Sequence, residues 1–134
     1  MALQFATALR DALISQIETV VGASPRLQIR SGAPPATPAD ADAGTLLVEI
    51  TLPADWLSAA SSGQVSKLGT WQATAAASGV AGHFRLKNSA GTTTYMQGTV
   101  TATGGGGDLT LDNTSIASGQ TVTINTFTLT QGNS

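Results

Sequence analysis

Val80-Ala81-Gly82-His83-Phe84-Arg85-Leu86-Lys87, then Asn88-Ser89-Ala90-Gly91, then Thr92 to Thr103: this stretch decides the fold. Val80, Gly82, Phe84 and Leu86 share one parity while Ala81, His83, Arg85 and Lys87 share the other, the period of a strand. Asn88 to Gly91 is a tight-turn signal, because Gly91 accepts the left-handed conformation that closes such a turn. The chain then returns with Tyr95, Gln97, Thr99 and Thr101 on one face and Met96 and Val100 on the other. Two long strands joined by a short turn predict an antiparallel pair.

The segments on either side extend the pattern. Thr45 to Leu52 is strongly apolar (Leu46, Leu47, Val48, Ile50, Leu52) and is expected as a central strand ended by Pro53. Arg26 to Arg30 alternates around Leu27 and Ile29 and predicts a short strand. Val65 and Leu68 differ in parity before Gly69, which predicts a bulge ahead of Thr70 to Ala75. Thr121 to Ile124 continues into Phe127 and Leu129 with shifted parity, as where a strand crosses between sheets. Gly104 to Gly107 precedes the short strand Asp108 to Leu111, and its glycines serve a mobile hairpin loop or let the backbone lie flat on a neighbour. Short strands, frequent turns and bulged corners predict a mainly β fold, a two-sheet antiparallel β-sandwich of jelly-roll-like kind.

One segment reads as helix. Leu3, Ala6, Leu9, Leu13, Ile17 and Val20 recur at three- and four-residue steps, with Arg10, Asp11, Gln16 and Glu18 largely away from that stripe. Gly22 and Pro25 end it. The expected division is an N-terminal amphipathic helix over 1–24 and a β-sandwich domain over 25–134 that includes a Pro-rich loop at 31–44. The stripe either caps the sheet core or docks on a partner or a second copy. The loop, with Pro34, Pro35 and Pro38, is long for a compact domain, and such loops are usually functional or contact-making. Leu9, Leu13, Ile17, Pro34, Pro35 and Trp56 are therefore the candidate partner-contact residues. For Trp56 a plug over the open end of the sandwich is favoured over an exposed anchor.

Composition narrows the function. With 134 residues the chain fits one domain of ordinary size. Charged residues are 10% of it, against about 25% in ordinary domains, and Thr, Ser, Ala and Gly take their place. A surface so poor in charge is weakly protected against association, which points to one covered in its working state. The six basic residues are scattered, so no line of phosphates is matched and nucleic-acid binding is not expected. The N-terminal stretch is too interrupted by polar residues for a signal peptide, and no apolar run approaches the roughly 20 residues of a membrane span.

Chemistry is not expected either, and no cofactor or metal is called for. There is no cysteine, and His83 is the lone histidine, expected at a surface or interface. No Gly-x-Ser-x-Gly elbow accompanies it. Asp40 and Asp42 lack the further carboxylates of a calcium loop. Of the eight acids most fall on the helix, in loops or at turns; Glu49, on a strand, is expected to pair with Lys67, Arg85 or Lys87. Gly104 to Gly107 sits between strands, where a phosphate cradle needs a helix N-terminus and Lys-Ser/Thr.

The order of motifs carries a resemblance. Ala2-Leu3 and Ala6 open the helix, and Ser31-Gly32-Ala33-Pro34-Pro35 follows the first strand. Leu46-Leu47, then Ser78 to Leu86, the turn at Gly91, Gly107-Asp108-Leu109-Thr110-Leu111 and Ile124 to Thr130 complete the series. Over nearly its whole length the chain resembles small virion proteins encoded in the structural modules of tailed bacteriophages and prophages. The resemblance implies a capsid decoration (cement) protein, made in the host cytoplasm and bound on the virion exterior to the major capsid protein. Such families carry no catalytic residues. Many symmetry-related copies reinforce modest contacts by avidity, so a homo-oligomer, dimer or trimer, is expected. The alternatives are another virion component (tail, neck or head fibre) and a carbohydrate-binding β-sandwich module, for which Trp56, Trp71 and Tyr95 are few and scattered.

Overall fold

The computed structural model describes residues 3–131. They form one helix, α1 (Thr7–Val21), and ten strands. These are β1 (Arg26–Ser31), β2 (Leu46–Thr51), β3 (Gln64–Ser66), β4 (Trp71–Thr74), β5 (Gly79–Lys87), β6 (Thr94–Ala102), β7 (Leu109–Leu111), β8 (Ser115–Ile116), β9 (Thr121–Ile124) and β10 (Thr128–Thr130). The fold is mainly β with one helix and curled sheets.

The expected antiparallel pair is at the centre. β5 and β6 are joined by a turn in which the Gly91 amide donates to the Asn88 carbonyl at 2.9 Å. On the other side of β5 lies β1, and the main sheet runs β2-β1-β5-β6-β7, with β8 pairing the start of β5. Its register aligns side chains in rows across the strands. Ile50, Leu27, Leu86 and Met96 form one apolar row, and Val48, Ile29 and Phe84 form the next. On the opposite face Glu49, Gln28, Arg85 and Gln97 form a polar row, flanked by Arg30 and His83.

The remaining strands make a broken ribbon. β3 pairs with β10 and β4 with β9, both antiparallel, and the register slips by one residue between the two halves. That slip falls where Gly69 and Phe127 sit, so the parity shifts in the sequence are the two sides of one kink. Phe127 packs from the kink edge-on against Phe84 at 5.8 Å and against Trp71 at 5.6 Å. Trp71 in turn lies 6.2 Å from Trp56, so the aromatic rings run as a chain through the core.

Two expectations about the sheet are corrected. β2 is at an edge, pairing only with β1. It is apolar because β4 and the following turn cover it, with Ala76 and Ala77 donating to the Leu47 carbonyl. The glycine loop is not a hairpin: β7 runs parallel to β6, with Val100 opposite Leu109. The loop folds back flat on the strand it leaves, and the Gly107 amide donates to Thr101 Oγ1 at 3.0 Å. A Cβ on Gly105 or Gly107 would stand 2.8 Å from the Thr101 side chain, which is why glycine is needed there.

Candidate contact surface

Helix α1 docks by the side that its polar residues mark. Ala6 offers no capping side chain and the first turn has no acid, so the helix depends on tertiary contacts. Glu18 Oε2 accepts the backbone amides of Trp56 at 2.9 Å and Leu57 at 2.8 Å. Asp11 Oδ1 accepts the Gly63 amide at 2.6 Å. Arg10 donates to the Gln131 carbonyl at 3.0 Å and the Ser62 carbonyl at 3.1 Å. Ile14 and Val21 are buried between these anchors.

The expected core stripe therefore points the other way. Leu9 is 48% exposed, Leu13 42%, Val20 60% and Leu3 67%, while Ile17 alone of the candidates on this helix packs partly on the core. Periodicity identified an apolar face; what it missed is that Asp11, Ile14, Glu18 and Val21 are also a three- and four-residue series. Carboxylates on the inner face win because they satisfy the backbone amides of Trp56, Leu57 and Gly63, which donate to no strand carbonyl. Beside the exposed face, between α1 and β6, lies an apolar groove of about 360 Å³ lined by Leu13, Ile17, Val20, Val21, Tyr95 and Met96, with Gln16 at its rim.

The Pro-rich loop is engaged with its own sheet. Its base closes where the Ser31 amide donates to the Thr45 carbonyl and the Thr45 amide to Ser31 Oγ. From there it lies across the polar rows as a strap. Asp42 receives Arg85 at 2.6 Å, Lys87 at 2.7 Å and Arg30 at 3.2 Å. Arg85 also donates to the Pro38 carbonyl, Gln97 Nε2 to the Pro35 carbonyl, and His83 Nδ1 to the Gly32 carbonyl. Burial pushes the Asp42 carboxyl up, but hydrogen bonds from Lys87 and Arg85 and the charge of Arg30 outweigh it and hold its pKa below the ordinary value. An Asp so surrounded by cations is a clasp for the strap; among the described residues no cluster of three metal-ligating side chains occurs.

These contacts correct several expectations. His83 is fully buried under the strap, not at a surface. Arg85 and Lys87 pair with Asp42, and Glu49 instead accepts from Arg26 at 3.1 Å and Gln28 at 2.7 Å. Pro34 and Pro35 are half-buried. Trp56 has no exposed surface, and its Nε1 donates to the Gly22 carbonyl, so it is a core residue and not an exposed anchor. Trp71 is equally buried, which leaves Tyr95 as the exposed ring of the three considered for a sugar platform.

The consequence for the surface is general. Among the described residues every charged side chain except Asp55 is hydrogen-bonded or ion-paired within the chain. No helix among the described residues is long and apolar enough to cross a membrane. The chain matches no family model, no curated protein and no solved structure.

Proposed function

We propose that the chain is a structural protein of a tailed-bacteriophage head, a decoration protein that binds the outside of the major capsid lattice and stabilises it. It does so as a homo-oligomer and without catalysis, cofactor or nucleic acid. The observation that carries this is the fate of its few charges: nearly all are hydrogen-bonded or ion-paired to groups of the same chain, while Leu3, Leu9, Leu13, Val20 and Tyr95 face outward. A surface poor in charge, with exposed large apolar residues, suits broad, repeated, flat contacts, the kind a lattice offers many times over. The motif order over nearly the whole chain supports the same reading. The proposal extends to the architecture: the curled main sheet and the broken ribbon form the two layers of a jelly-roll-like sandwich around the ring chain from Trp56 to Phe84.

Cryo-electron microscopy of particles assembled from the neighbouring structural genes, with and without this chain, tests it. Regular density on the outer face of the head is expected, together with a higher rupture temperature. Density confined to the tail or neck, or no binding to empty heads, overturns it.

A further inference from the structure

We propose that the outward face of α1 joins two copies of the chain, helix against antiparallel helix about a two-fold axis. This deepens the assembly proposal by naming the surface and the occupant. Leu9, Leu13, Gln16 and Val20 follow one another at steps of four, three and four, the spacing of a two-helix seam. The series is symmetric about a point between Leu13 and Gln16. A two-fold axis there sets Leu9 of one copy across from Val20 of the other, and Leu13 across from Gln16, so every layer is made by the same sequence meeting itself.

The symmetric spacing selects a second copy, and charge does not oppose it. Arg10, Asp11 and Glu18, the charged residues of α1, are all bonded to the protein body. The outward face therefore presents no charge for an oppositely charged partner to recognise, and none to repel its own copy across a symmetry axis. A second copy also brings both halves of a fit, since Leu9 stands at one end of the seam and the groove beside Val20, Tyr95 and Met96 at the other. The helix has 15 residues, so the seam is about 22 Å long. A contact of that size lies at the small end of specific interfaces, below roughly 1,200 Å², so dissociation in the micromolar range is expected.

Sedimentation equilibrium of the purified chain from low micromolar to near-millimolar concentration tests this. A monomer–dimer equilibrium is expected, and Leu13→Glu, folded by circular dichroism, weakens it at least about a hundredfold. Because the chain has no cysteine, Gln16→Cys provides a second readout that leaves the apolar residues in place. A short bismaleimide is expected to yield a cross-linked dimer, since this register sets each Gln16 across from Leu13 and about one helical turn from the other Gln16, and Thr92→Cys, beyond the strap, is expected to yield none. A chain monomeric throughout, a trimer, or a dimer unaffected by Leu13→Glu and cross-linked equally from Thr92→Cys overturns the proposal. Binding to empty heads is measured separately. A dimer that ignores heads breaks the decoration role and leaves this interface standing. A monomer that binds heads and loses that binding with Leu13→Glu gives the face to the capsid and overturns the self-pairing.

Discussion

The strap over 31–44 and helix α1 are both appended to the sheet, and they dispose of their polar groups in opposite ways. The strap lays its carbonyls and Asp42 over a row of buried cations, so its bonds point inward, and no large apolar residue of it is exposed. The helix also turns its charges inward, yet its apolar residues are left outside. In both cases electrostatics fixes the segment to the sheet. Only the helix has apolar surface left over, and leftover apolar surface, not exposure as such, separates a contact face from a cover.

Removing the clasp of the strap breaks the comparison most severely. Asp42→Ala leaves Arg30, Arg85 and Lys87 facing one another under the strap, and a loss of about 3 kcal/mol in urea unfolding is expected. A loss below about 1 kcal/mol would show the strap to be held by its backbone contacts alone. Acid acts on the same group. Its folded pKa lies below the unfolded one, so its contribution is complete above the ordinary value of 3.8 and is lost as pH falls through the folded pKa. Asp42→Asn is expected to flatten that acid limb.

The equivalent change on the helix is smaller. Glu18→Ala frees the amides of Trp56 and Leu57, and a cost of about 2 kcal/mol is expected, with faster amide exchange at those two positions. Unchanged exchange there would remove the carboxylate from the account of docking. Smallest of all is Leu9→Gln, which touches only the outward face. In dilute solution it is expected to alter unfolding by no more than about 0.5 kcal/mol, and a larger loss would place Leu9 in the core after all.

Much of the β architecture was legible because it rests on local rules. The alternation in β5, the turn at Asn88 to Gly91, and the parity shifts at Gly69 and Phe127 each have a local steric cause, and each is found. What could not be read was which partner a side chain meets. Glu49 and Arg85 lie in one cross-strand row, yet they answer to different neighbours because the strap brings Asp42 over the row from far along the chain. The helix shows the same limit. Leu9 and Leu13 were visible as a face, and which face would be covered depended on Trp56, Leu57 and Gly63, turns that no helical period encodes. A covered Trp56 was favoured over an exposed one, and it is buried.

The broken ribbon has a kinetic consequence. β3 and β4 pair with β10 and β9 across the stretch of chain that holds β5 to β8, so closing the ribbon is a long-range event. Such pairings are slow, because loop entropy is lost before their contacts form. During synthesis Trp71 and Val65 wait for Ile124 and Leu129 to emerge, and until then one flank of the aromatic chain is bare. The last ten or so described residues are thus a timing element: they set when the nascent chain stops being adhesive to its neighbours.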